Sequence, residues 1–200
     1  MTKTIGILGF DEVEALDFVG PYEVFTTAER VSLREGLGSN FKVISIAKND
    51  SFTARAGLTI NSQFLLKDAP ALDVLIVPGG VTASVEEDPE IIEWLIKQGS
   101  QTEIVASVCT GSFLLAKANL IGKKSVTTHW EDIADLRAKF PFVSVIEGVR
   151  WVDAGNLVTS AGISAGLDMS LHLVERLGGL ELAMLTARQM DYNWVRQSDL

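Results

Sequence analysis

Short apolar runs alternate along this chain with longer amphipathic segments, the rhythm of an α/β fold on a mostly parallel sheet. Thr4–Gly9 reads as the first strand. Gly20-Pro21 then opens a helix through about Arg30, with Pro21 where a missing N–H costs nothing. Phe41–Ala47 is a strand, and Gly57–Ser62 another at a sheet edge. Asp73–Val77 has the composition of a buried strand, and Pro78-Gly79-Gly80 stops it. Asp88-Pro89 caps a helix whose apolar face is Ile91, Ile92, Leu95 and Ile96. A second buried strand climbs through Ile104–Val108, followed by a helical pattern. Lys124–Thr127 predicts a short strand, and Trp130–Lys139 a helix stopped by Pro141. Two strands flank the turn Asp153-Ala154-Gly155-Asn156, a hairpin signal. A helix from Ser164 to Leu177 ends at Gly178-Gly179, and another runs from Leu180 to about Met190. No repeat, linker or low-complexity tract interrupts the pattern. It predicts one domain over residues 1–200 with both sheet faces covered.

Composition fits that picture. The chain has 200 residues, 47% of them apolar and 22% charged, which allows a sizeable core and argues against disorder. A net charge of −9 makes nucleic acid and acidic membrane surfaces poor partners. No run approaches the ~20 apolar residues of a membrane span, and no signal peptide precedes the first strand. A cytoplasmic protein is the expected class. One cysteine excludes an intramolecular disulfide framework, and with two histidines leaves little for a metal site.

That cysteine, Cys109, stands where the Ile104–Val108 strand turns into a helix, followed by Thr110-Gly111. Such a corner exposes a side chain at the top of a sheet and aims helix N–H groups at it. A free thiol is only about 3% thiolate at pH 7, and a pKa lowered by roughly two units would make it mostly ionised. The expectation is an ionised, reactive thiol; the alternative is a core cysteine.

Other residues gather at the same carboxyl edge. Asp17 is placed in the loop after the first strand. Beside a thiolate its pKa would rise, and it could pass a proton to and from sulfur; equally, it could simply favour a helix start. Gly79 and Gly80, directly after a buried strand, let backbone N–H groups approach a reacting atom. With the N–H of Thr110 they could form an oxyanion-type cradle, or merely a turn. His129 lies twenty residues beyond the cysteine and either pairs with it or fixes the next helix start. His172 reads as structural. The turn Gly162-Ile163-Ser164 could wall a pocket, with Ile163 as apolar liner, or serve close packing. There is no dinucleotide turn, phosphate loop or His-Glu-x-x-His motif.

With Leu16-Asp17-Phe18-Val19-Gly20-Pro21, Pro78-Gly79-Gly80, Val108-Cys109-Thr110-Gly111-Ser112 and Thr127-Thr128-His129-Trp130 assembled, the chain resembles the DJ-1/PfpI (ThiJ) superfamily. The likeness covers Ile5 to about Leu177. It is greatest to the isocyanide hydratase branch and to the amidotransferase-like domains of AraC-type regulators. The resemblance implies a flavodoxin-like three-layer α/β sandwich, usually dimeric, with Cys109 as nucleophile at a strained elbow and Asp17 as its acid/base partner. It further implies a pocket formed by Thr110, Gly79, Gly80 and Ile163, with neither cofactor nor metal. Family proteases carry a histidine directly after the cysteine, where this chain has Thr110. The DJ-1 branch carries a glutamate on the first helix, where this chain is expected to have Asp17 in the preceding loop.

These points lead to a cofactor-free hydratase acting on a small-molecule isocyanide. The rival is a ligand-sensing module. The regulators carry a helix-turn-helix region after the sandwich, and here only Asp191-Tyr192-Asn193-Trp194-Val195 and a few polar residues follow the last helix, so direct DNA binding is not expected. A third reading is a redox or stress protein whose Cys109 oxidises.

Overall fold

The computed structural model describes residues 2–196; Met1 and the final four positions, which end the polar tail, lie outside it. In chain order the elements are β1 (Lys3–Gly9), α1 (Ala15–Arg34), β2 (Phe41–Ala47), β3 (Ser51–Thr53), β4 (Thr59–Asn61) and β5 (Phe64–Leu65). Next come β6 (Val74–Val77), α2 (Ala83–Glu86), α3 (Pro89–Gly99), β7 (Ile104–Val108), α4 (Gly111–Lys117) and β8 (Ser125–Val126). The chain continues with α5 (Ile133–Lys139), β9 (Ser144–Val145), β10 (Trp151–Asp153), β11 (Leu157–Ser160), α6 (Ala165–Gly178) and α7 (Leu180–Gln189).

Seven strands form the central sheet in the order β10-β11-β7-β6-β1-β2-β5. Every pairing is parallel except β10–β11, the predicted hairpin. α1, α6 and α7 pack together as one layer, and α2, α3 and α4 as another. This is the flavodoxin-like α/β sandwich. Strands covered on both faces are near-continuously apolar, and β6 and β7 are buried throughout, with Ser107 the one polar position. Asp88 caps α3 as expected: its side chain accepts the N–H groups of Glu90 at 3.0 Å and Ile91 at 3.4 Å, ahead of Pro89.

Four expectations are corrected. The first helix starts at Ala15, not at Gly20-Pro21, and runs to Arg34. The Glu14 carbonyl accepts the N–H groups of Asp17 and Phe18, so the helix is under way before the proline. Pro21 therefore lies inside α1, where it cannot donate to the Asp17 carbonyl. Second, the Gly57–Ser62 strand narrows to β4, which pairs antiparallel with β3 in a separate ribbon; β5 is the sheet edge on that side. The ribbon places Phe52 against Gly9, where a Cβ would overlap its ring. Third, Trp130–Asp132 is a 3₁₀ turn and α5 begins only at Ile133. Fourth, β8 pairs with β9 outside the main sheet, and β9 had no signal of its own. No helix among the described residues is long and apolar enough to cross a membrane.

Candidate active site

β6 and β7 are neighbours, so the Pro78-Gly79-Gly80 turn and the Cys109-Thr110 corner emerge side by side at the carboxyl edge. Cys109 has φ +55°, a left-handed conformation that costs a non-glycine residue about 1–2 kcal/mol. Neighbours hold it there. Its N–H donates to the Ser160 carbonyl at 3.0 Å, extending the ladder to β11. Its carbonyl accepts the Thr128 hydroxyl at 3.0 Å, the Ser112 hydroxyl at 3.2 Å and the Ser112 N–H at 3.4 Å. Gly162 closes the corner: a Cβ there would overlap that of Cys109 and lie 3.1 Å from Sγ.

Asp17 reaches the corner from the first turn of α1, not from a loop, and is fully buried. Its Oδ2 accepts the Gly79 N–H at 3.2 Å, while Oδ1 has no hydrogen-bond partner among the described residues. A Cβ on Gly79 would stand 2.6 Å from the Thr110 nitrogen and 2.8 Å from Asp17 Oδ2. Only glycine lets the acid and Thr110 converge there. Gly80 donates its N–H to Thr110 Oγ1 at 2.9 Å, and that hydroxyl also lies 2.9 Å from the Gly80 carbonyl. Both glycine N–H groups are thus engaged with Asp17 and Thr110, and of the three expected cradle donors only the Thr110 N–H faces sulfur.

The thiol is not ionised at rest, contrary to expectation. Burial pushes Cys109 up to about 12, the Asp17 carboxylate adds to the push, and the Thr110 N–H and hydroxyl oppose it. The donors of a corner leading into a seven-residue helix do not outweigh desolvation beside an anion. Burial also lifts Asp17 to about 7; the Gly79 N–H draws it down, Glu14 raises it, and the Cys109 thiol draws it down slightly. Near neutral pH the pair therefore consists of a protonated thiol and a carboxyl close to its own titration, a proton acceptor beside a proton donor.

Cys109 opens onto a cavity of about 280 Å³ that Thr110, Gly80, His129 and Ile163 also line. Ile163 is one of the lining side chains. His129 faces the same cavity and also sits at the turn before α5, with Nδ1 3.5 Å from Asp132 and 3.6 Å from Glu131. His172 lies away from this edge, its Nε2 2.7 Å from Asp153. Sequence reasoning missed Thr128 and Ser160, which pin the corner, and Glu14, Arg55, Glu131 and Asp132, which line the cavity. Thr128 stood beside a singled-out histidine; Arg55, from the loop between β3 and β4, had no signal.

The model of the DJ-1/PfpI family matches residues 3–176. The chain belongs to that family. It is 35% identical over 193 residues to isonitrile hydratase of Pseudomonas putida, across 96% of this chain and 79% of that protein. It is 31% identical over 194 residues to the HTH-type transcriptional regulator GbdR of Pseudomonas aeruginosa, covering 97% of this chain and 52% of the regulator. The chain thus spans about half that regulator's length. A THiJ/PfpI family protein from Pseudomonas syringae matches with a TM-score of 0.85 at 27% identity, over 98% of this chain and 78% of its own. Within this DJ-1/PfpI protein the position of Asp17 on α1 removes one contrast drawn with the DJ-1 branch.

Proposed function

We propose that the protein is a cysteine-dependent hydratase that converts an isocyanide into an N-substituted formamide. One observation carries the reading: a buried thiol and a buried carboxyl raised to about 7 meet at one strand end beside a small cavity. The 35% identity to isonitrile hydratase supplies the substrate class.

In this reading Asp17 accepts the Cys109 S–H proton as sulfur bonds to the terminal isocyanide carbon. It then delivers that proton to the same carbon, giving a thioimidate, Cys109 S–CH=N–R. Water adds to this carbon while Asp17 takes one of its protons and hands it to nitrogen, giving Cys109 S–CH(OH)–NH–R, whose hydroxyl keeps the other proton. The C–S bond then breaks, sulfur recovers a proton, and R–NH–CHO leaves; the net change is R–NC plus water. The Thr110 N–H faces the sulfur and steadies it while it carries charge. Gly79 and Gly80 act one step back, by holding Asp17 and Thr110 in register. Ile163 gives the cavity an apolar wall.

Formamide production from cyclohexyl isocyanide by the purified protein tests this. Cys109→Ala is expected to abolish turnover, and Asp17→Asn to lower it about 10²-fold or more. Full turnover by Cys109→Ala would sink the mechanism, and inactive native protein would sink the substrate. The 31% identity to GbdR favours ligand sensing as the second reading. Saturable binding of a small ligand in the cleft without turnover would support it.

A further inference from the structure

Beside the cavity at Cys109 lies a second, open depression of about 590 Å³, and Gly80, Thr110 and Asp132 line both. A substrate whose reacting atom touches sulfur therefore has room for a substituent beyond Thr110. The lining of this depression includes Val81, Ala83, Phe113 and Ala138, which suit a short apolar spacer. Its charges are lopsided. The two basic residues that line the combined space are each occupied: Arg55 pairs with Glu14 at 3.2 Å, and Lys139 with the buried Glu86 at 2.7 Å. Glu131, Asp132 and Asp135 have no lysine or arginine partner among the described residues. Asp132 is the one that lines both, and among the described residues its only basic neighbour at ion-pair distance is the His129 ring, Nδ1 3.5 Å away. Desolvation raises its pKa, the His129 ring opposes the rise, and the repulsion of Asp135 and Glu131 adds to it, a repulsion that a bound cation would relieve. A cleft lined by one sign of charge focuses its field on whatever enters.

We propose that this cleft selects a small electrophile bearing a cationic substituent, an ammonium or quaternary amine on a short apolar spacer, over its anionic counterpart. The proposal rests on the reading of Cys109 as the group that meets substrate, and its test does not require turnover.

Because Cys109 is the only cysteine, charged thiol reagents report on the cleft alone. The probes are 2-(trimethylammonium)ethyl and 2-sulfonatoethyl methanethiosulfonate. With each, Sγ gives up its proton, displaces methanesulfinate and forms a mixed disulfide. The ratio of the cation's rate to the anion's, divided by the same ratio for free 2-mercaptoethanol, is expected to be about tenfold at low salt and to shrink at high salt. Asp132→Asn and Asp135→Asn should each lower it at least twofold. Asp135 lies on the exposed side of α5, so its variant carries the test if Asp132→Asn does not fold. Glu181→Gln, which removes one charge on α7, should leave it unchanged. A normalised ratio of one or below, or an equal loss in Glu181→Gln, overturns the proposal. Two isocyanides differing only in a terminal trimethylammonium or carboxylate separate the outcomes. Turnover of both at equal kcat/KM refutes the selectivity and leaves the hydratase reading intact. A preserved reagent ratio with no isocyanide turnover refutes the hydratase reading and leaves the selectivity intact.

Discussion

Two regions face each other across the cleft, and they are built in opposite ways. The Cys109 corner is buried and held through the backbone groups of Cys109 itself: one ladder bond to Ser160, three donors on its carbonyl, two of them hydroxyls, and no free space at Gly162. The wall from His129 to Lys139 is more exposed and more loosely tied: a 3₁₀ turn, a seven-residue helix, Trp130 75% exposed, and a Lys139–Glu86 ion pair. The corner puts Cys109 in a conformation it would not choose alone. The wall only sets the charge that an approaching molecule meets. Substitutions in the corner should therefore change function by orders of magnitude, and substitutions in the wall by small factors.

The largest break is expected at Gly162. Its φ is +61°, and an added methyl would overlap the Cys109 Cβ, so Gly162→Ala must move the corner or the α6 turn. Overpacking of this kind costs about 1–3 kcal/mol, and displacement of a reacting atom by an ångström costs about 10²-fold in rate. Urea denaturation and formamide kcat/KM measure the two losses. Near-native values for both would show that the corner is not pinned as described.

Asp17→Asn sharpens the same contrast through its pH dependence. Ordinary Asp titrates near 3.8, and burial lifts the Asp17 carboxyl to about 7. Between those values the folded protein retains a proton that the unfolded chain has released. Stability is therefore lost as pH rises through that window and stays lower above it, by on the order of 4 kcal/mol. Asn removes this slope. The variant should be more stable than the native protein at pH 8 and much closer to it at pH 4, by urea denaturation at both. In the native protein, kcat/KM for hydration should rise with an apparent pKa of about 7, because Asp17 must be ionised to accept the thiol proton. A variant less stable than native protein at pH 8 would mean that the site favours the carboxylate.

A milder break is Thr128→Val, which takes one of three donors from the Cys109 carbonyl and leaves the Ser112 pair. A loss of about 1 kcal/mol by denaturation and about tenfold in kcat/KM is expected. A rate unchanged within twofold would assign the pinning to Ser112 and Gly162 alone.

The same division governs what could be read in advance. Strands buried on both faces are near-continuously apolar, so β6, β7 and the α/β order were legible, as was the strand-Cys-Thr-Gly-helix corner. Gly20-Pro21 misled because such pairs usually mark a helix start, whereas here the Glu14 carbonyl begins α1 five residues earlier. Asp17 thus moved from a loop to a helix without leaving the sheet edge. β5 and β9, of two residues each, are too short for any periodicity. The contacts of Thr128 and Gly162 with Cys109 join residues far apart in the chain, and no local pattern encodes them. The state of the thiol was misjudged for a related reason. A helix start is visible in sequence, but the burial that outweighs it is a property of the assembled fold.

The smallest effect separates the two regions most finely. Burial is the main cause of the high Cys109 pKa, the Asp17 charge comes second, and Asp132, across the cleft, raises it less than the Thr110 N–H lowers it. Neutralising each acid should therefore lower the thiol pKa in order: least in Asp132→Asn, more in Asp17→Asn. The rate of Cys109 alkylation by iodoacetamide as a function of pH reads this directly, because the neutral reagent is indifferent to the field of the wall. Native protein should need the highest pH, Asp132→Asn a slightly lower one and Asp17→Asn the lowest. The Asp132 effect should fade in high salt while the Asp17 effect persists, since a part-exposed charge is screened and a buried one is not. If Asp132→Asn shifted the profile as far as Asp17→Asn, the wall would belong to the reacting pair and the division between the two regions would fail.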